Sequence, residues 1–282
     1  MEDVKHITET NLYAGFSNVT RHALKFWKNH IVKIGARRDT TTTLGEINRD
    51  LLTHNVVIFF DHHYAFDALP AALTLGHALD NITAALIPYA VHLDMGVDQE
   101  GLPSKRYRIR TKAFQWLTDN IHKSNHDVRF LPVAREFEME TPRIRAIVDE
   151  QFSGANLQYL KALIQFFEPQ HVGRVCILSP MAGLALPGKP ALHPQLYKSM
   201  KLLQTRWDQT LPFYLVGAYT RLKKDFHYFA PLLTRHTFVA EGPFTLPTDG
   251  YESASQVIAK HLEMLRAAAN FIPPDYSRIS RK

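Results

Sequence analysis

An aspartate and two histidines stand together in the stretch Asp61-His62-His63-Tyr64-Ala65-Phe66-Asp67, and a second aspartate closes it. A histidine and a carboxylate are a common pair for moving a proton near neutral pH. The carboxylate accepts from one ring nitrogen, fixes the tautomer and leaves the other nitrogen as a base. His62 and Asp67 are five positions apart, which on a continuous helix sets them about 140° from each other. They therefore pair only across a turn. A turn that carries His62, with Asp67 where a helix opens near Pro70, meets that condition. The same residues also read as an N-capping Asp67 beside histidines with no part in catalysis.

Such a turn needs a strand before it and a helix after it. Val56-Val57-Ile58-Phe59-Phe60 is wholly apolar and bounded by Asn55 and Asp61, the pattern of a central strand buried on both faces. Similar runs are Ala84 to Ile87, Val128 to Val133, Val175 to Leu178 and Phe213 to Val216. Helical segments alternate with them: Pro70 to Leu79, Thr111 to Asn120, Asn156 to Phe167, Gln195 to Trp207 and Ser253 to Ala269. This alternation predicts a single α/β domain over residues 55–282, with a mixed, mainly parallel sheet flanked by helices. Sites in such sheets form where strands end and loops lead into helices. That rule selects Asp61 to Asp67, Arg135, and Ser179 to Lys189. Residues 1–54 read as a helical segment packing on the core or on a membrane surface. Within it Leu24, Trp27, Ile31 and Ile34 form one apolar stripe, with Arg21, Lys25 and Lys28 on another side.

With 282 residues, 45% of them hydrophobic, the chain has enough material for a large core, and disorder is excluded. No apolar run approaches the roughly 20 residues of a bilayer-spanning helix, and the polar start lacks the features of a signal peptide. A cytoplasmic protein is the expectation. One cysteine, Cys176, lies in an apolar run as a buried structural thiol, so neither a disulfide framework nor a zinc cluster is available. The net charge of +6 is unevenly spread: Arg21 to Arg38 holds six basic and no acidic residues, and Gly101 to Arg135 eight basic and two acidic ones. Such patches suit phosphate-bearing ligands or anionic lipid surfaces.

The spacing His62-x4-Asp67 resembles the hallmark of the glycerolipid acyltransferases, the family that makes phosphatidic acid and related lipids. Later landmarks recur in order from Asn55 to Ala269. Phe130-Leu131-Pro132-Val133-Ala134-Arg135 resembles the block whose arginine contributes to the acyl-acceptor site. Val175 to Gly183, with Ser179, Pro180 and Met181, stands where that family has a strand followed by Pro-Glu-Gly-Thr-Arg. Leu211 to Val216 is similar to its proline-bearing fourth block. The resemblance implies an acyltransferase-like fold and an O-acyltransferase of phospholipid biosynthesis. In it His62 acts as general base and Asp67 orients His62. Arg135, Ser179, Pro180, Met181, Gly183 and Lys189 hold substrate, and backbone amides around Ser179 to Gly183 help to hold the oxyanion. The implied partners are an acyl coenzyme A or acyl carrier protein donor, a lipid acceptor and an anionic membrane contacted peripherally on its inner face. No metal, no further cofactor and no nucleic acid is expected.

The departures bear on the acceptor. Asp61 replaces the usual asparagine, Met181 replaces glutamate, and Leu184 or Ala185 stands where an arginine would bind phosphate. An aliphatic side chain cannot imitate that planar fork, so an acceptor other than glycerol 3-phosphate is expected, unless Lys189, Arg143 or Arg145 substitutes. Two alternatives remain. Asp61-His62-His63 also resembles the Asp-His-His phosphoesterases, which hold two divalent ions, although residues 1–54 contain no Asp-x-Asp pair. The altered third block would also suit a non-catalytic lipid- or acyl-binding descendant of the fold.

Overall fold

In the computed structural model, residues 20, 22, 32–34, 38–63, 71, 74–75, 78–98, 100–123, 127–134, 139–182, 190–207, 210–220 and 236–273 are described. In chain order the elements are β1 (Val32–Ile34), α1 (Arg38–Asp50), β2 (Val56–Phe60), β3 (Ala84–Ala90), α2 (His92–Met95), α3 (Lys105–His122) and β4 (Asp127–Val133). They continue with α4 (Pro142–Gln151), α5 (Ala155–Phe166), β5 (Arg174–Leu178), α6 (Pro194–Trp207), β6 (Phe213–Thr220), β7 (His236–Phe244) and α7 (Tyr251–Ala268). The fold is α/β, with a mixed, mainly parallel sheet flanked by helices. The chain forms two compact units, residues 19–82 with 169–282, and residues 1–18 with 83–168.

In the larger unit β2 lies between β5 and β6, parallel to both, with Phe59 beside Leu178 and Phe60 beside Val216. All five β2 residues are buried, which explains the apolar run without alternation. β7 runs antiparallel to β6, and β1 pairs parallel with β7 from Val32 beside His236 to Ile34 beside Phe238. That strand corrects the sequence reading of Arg21 to Ile34 as one helix. Val32 and Ile34 flank a lysine in a β-favouring alternation that gains backbone partners from β7, and this outweighs the helical spacing. The antiparallel β7 also lies outside the expected set of strands.

Side chains alternate along β2, so its two faces carry different cores. Val56, Ile58 and Phe60 pack with Leu44, Ile47 and Leu51 of the α1 segment, and with Ala71, Leu75 and Leu79. α1 thus packs on this core, while most of residues 1–37 lie outside the described residues. Asn48 holds the strip after Leu75 in place: its amide donates to the Ala78 carbonyl, its side-chain oxygen accepts from the Asp80 amide, and its carbonyl accepts from Asn81. On the other face Phe59 stacks on Phe213, Phe213 on Phe244, and Phe244 on His261 of α7. Each fully buried large apolar side chain contributes roughly 1.5–3 kcal/mol. The start of β2 is clamped by buried Asn55, which donates to the His171 carbonyl and accepts from the Arg174 amide at the start of β5.

In the smaller unit β3 and β4 run parallel through seven paired positions, Ala84 with Asp127 to Ala90 with Val133. Ile144 and Val148 of α4 pack with Val91 in its core. Among the described residues, no helix is long and apolar enough to cross a membrane.

Candidate active site at the end of β2

β2 ends at Phe60, and the three residues after it separate onto two faces. Asp61 and His63 point to the face of Phe59, while His62 points to the face of Phe60. The contacts follow this alternation. The Nε2 of His63 lies 2.9 Å from Oδ2 of Asp61, whereas the His62 ring lies 5.6 Å from that of Phe60. An ionised carboxylate only accepts, so His63 Nε2 carries the proton between them.

Asp61 is 1% exposed and accepts four hydrogen bonds. Arg266, in the last turn of α7, places Nε on Oδ2 and Nη2 on Oδ1, each at 2.8 Å. The Tyr219 hydroxyl, at the end of β6, donates to Oδ2 at 2.5 Å, and the Asp61 amide donates to the Val216 carbonyl. Burial on its own pushes the carboxyl up, but hydrogen bonds from Arg266 and His63 and the charges of both outweigh it. The group is held well below the usual carboxylate range. Phe271 closes the cluster, with its ring 4.4 Å from Tyr219 and 4.7 Å from His63. Tyr219 fits because position 217 is glycine: a Cβ there would lie 2.5 Å from the tyrosine ring.

His62 is half-buried on the opposite face, the one on which Ala71, Leu75 and Leu79 pack. The histidine expected to act as base is therefore the one that Asp61 does not hold. Asp67 lies outside the described residues, as do Arg135, Gly183 and Lys189.

Ser179, Pro180 and Met181 follow β5 directly. The register of Phe59 with Leu178 brings residues 61–63 and 179–182 out at the same edge of the sheet. Ser179 to Ala182 form a turn in which the Ala182 amide donates to the Ser179 carbonyl at 3.1 Å, with Pro180 supplying the fixed φ at its second position. Ala182 has φ 52°, a strained value for alanine. The Pro180 carbonyl accepts from the His193 amide at 2.7 Å. This turn narrows the expected oxyanion site, because Pro180 has no N–H and the Ala182 N–H is committed to the turn. Pro180 and Met181 are buried. Arg143 and Arg145 are exposed on α4 of the smaller unit, where Arg145 Nε donates to the Met139 carbonyl.

Tyr219, Arg266 and Phe271 were not selected by sequence reasoning. Nothing in local spacing pairs an arginine in a closing helix with an aspartate 205 positions earlier. The one signal was Asp61 itself, a charged residue at the end of a strand buried on both faces, which demands a cation.

A comparison with protein-family models finds no match, and neither does one with curated protein sequences.

Proposed function

We propose that this chain is an O-acyltransferase that moves a fatty acyl group from an acyl thioester, of coenzyme A or a carrier protein, to the hydroxyl of a lipid or phospholipid precursor. The observation that carries the reading is the position of His62. It stands half-buried at the carboxyl end of the central parallel strand, on the face where the segment after Asp67 packs, with Asp61 and His63 locked away behind it. In an α/β sheet that is where reacting groups belong. His62 takes the proton of the acceptor hydroxyl as its oxygen attacks the thioester carbonyl. The tetrahedral intermediate collapses, the C–S bond breaks, and the imidazolium returns the proton to the departing thiolate. Asp67 orients His62, and Lys189 supplies positive charge to the substrates. Buried Met181 favours an acceptor other than glycerol 3-phosphate or its monoacyl form.

Asp61 supports acyl transfer over the Asp-His-His phosphoesterase reading. In that chemistry the aspartate holds a divalent ion, but here its oxygens already accept four hydrogen bonds, about the capacity of a carboxylate.

The test is acceptor-dependent thiol release from long-chain acyl thioesters over a panel of monoacyl glycerolipids, sugar lipids and amino lipids. The parent is expected to release thiol with at least one acceptor, and His62→Ala to lose about 10²- to 10⁴-fold in rate. EDTA should change nothing. Equal rates for parent and His62→Ala would remove the mechanism, and loss in EDTA restored by manganese would return the phosphoesterase.

A further inference from the structure

The end of β2 carries more buried charge than closing a strand requires. Asp61 is enclosed with Arg266 forked onto both of its oxygens at 2.8 Å, with the Tyr219 hydroxyl on Oδ2, and with Nε2 of His63 on the same oxygen at 2.9 Å. Taking such charges out of water is costly, and well-packed apolar side chains of similar volume would close the strand end with no loss of stability. What a forked ion pair supplies in their place is fixed geometry.

The residue that receives this geometry is His62. Asp61 is held by its side chain and by its amide, which donates to the Val216 carbonyl at 2.9 Å. His63 is held two positions later by its bond to Asp61, with the Phe271 ring packed 4.7 Å from its own. Side chains alternate where β2 ends, so pinning residues 61 and 63 to one face directs residue 62 to the other. There the His62 ring lies 5.6 Å from Phe60. A general base works only from the right place, and a displacement of about 1 Å costs about 10²-fold in rate.

We propose that His63 and Arg266 are positioning residues for acyl transfer: gripping Asp61 from two sides, they hold the strand end so that the His62 ring meets the acceptor hydroxyl. The proposal rests on the reading of His62 as general base. Both residues act through Asp61 and the backbone, and neither exchanges a proton with substrate. The second histidine of the pair thus serves the first, and an arginine of the closing helix joins the site without touching the reacting atoms.

The experiment measures kcat and KM for thiol release by the full chain and its variants, at a temperature where circular dichroism shows each folded. His63→Leu removes the bond to Asp61 and should lower kcat about 10- to 100-fold with KM within about twofold. His63→Gln keeps an N–H donor at the reach of Nε2 and should recover most of that loss. Arg266→Lys keeps the charge without the fork and should lower kcat about tenfold; it carries the test if His63→Leu does not fold. Tyr214→Phe is the control, because its hydroxyl donates to Asp50 at 2.7 Å, away from the site, and it should keep the parental kcat. Diethyl pyrocarbonate labelling of His62, mapped by mass spectrometry, reads the ring without any turnover. Parent and His63→Gln should label at one rate, and His63→Leu and Arg266→Lys faster. Parental kcat in both of those variants, a change confined to KM, or an equal fall in Tyr214→Phe would overturn the proposal. A parent inactive with every acceptor overturns the proposed function, and the labelling rates still decide whether His63 and Arg266 hold His62. An active parent whose variants all label alike overturns positioning alone.

Discussion

Arg266 grips Asp61 with both arms of its guanidinium across 205 positions of sequence, tying the last turn of the closing helix to the end of the central strand. A bidentate fork on a buried carboxylate fixes position as well as charge. The two residues after Asp61 inherit that position, His63 through its own hydrogen bond and His62 through the backbone.

Removing one partner of this pair should therefore cost more than removing both. Arg266→Ala leaves an uncompensated buried carboxylate and should lower stability by about 3–5 kcal/mol, whereas Asp61→Asn with Arg266→Met should recover much of the loss. Arg266→Lys keeps the charge but not the fork, and should fall between them. Urea unfolding of the three variants checks the order. A single Arg266→Ala as stable as the double variant would show that the pair is not coupled.

The same pair sets an acid limit. The Asp61 carboxyl is depressed in the folded chain, so its contribution is fully present above the unfolded value near pH 4 and is lost as pH falls below it. Unfolding temperature should drop through that window in the parent. Asp61→Asn should have a shallower acid slope, and thermal scans from pH 7 downward would measure the difference.

Much of the larger unit was legible in the sequence, and the reason is physical. β2, β5 and β6 are short apolar runs because both faces of each are covered, and α7 shows a regular apolar stripe because Ala254, Ile258, Leu262 and Leu265 face the core. β1 and β7 were not legible. Three residues of edge strand carry too little pattern, and β7 contains a Gly-Pro step that reads as a turn. At the site, the position of His62 followed from the strand-to-loop rule. The cluster behind it could not, because Arg266, Tyr219 and Phe271 meet Asp61 only through the fold. The charge of Asp61 has a physical reason in the fold: an amide at this position could not neutralise the guanidinium of Arg266.

Cys176 should be inert in the native chain. It is fully buried beside β2, and desolvation pushes its thiol far above the ordinary range, so almost no thiolate forms near neutral pH. A chromogenic disulfide reagent should release no colour until denaturant is added. Rapid labelling of folded protein would place the thiol at an opening.

Gly217 offers the sharpest separation of site geometry from bulk packing. Its missing side chain lets the Tyr219 ring fold across the strand to Asp61, and a methyl group there would meet ring carbons at 2.5 Å and the hydroxyl at 2.6 Å. Strand backbone at this position accepts any residue, so the cost of Gly217→Ala comes from displacing the tyrosine. That ring has little freedom, since Phe271 stacks on it at 4.4 Å and its hydroxyl is bound to Asp61. Losing a hydrogen bond to a buried charge costs about 1.5–3 kcal/mol. Tyr219→Phe removes the same bond without the clash, so Gly217→Ala should be at least as destabilising. Combining the two should cost less than their sum, because the hydroxyl can be lost only once. A double-mutant cycle in urea measures this coupling, and strictly additive effects would mean that position 217 acts through something other than Tyr219.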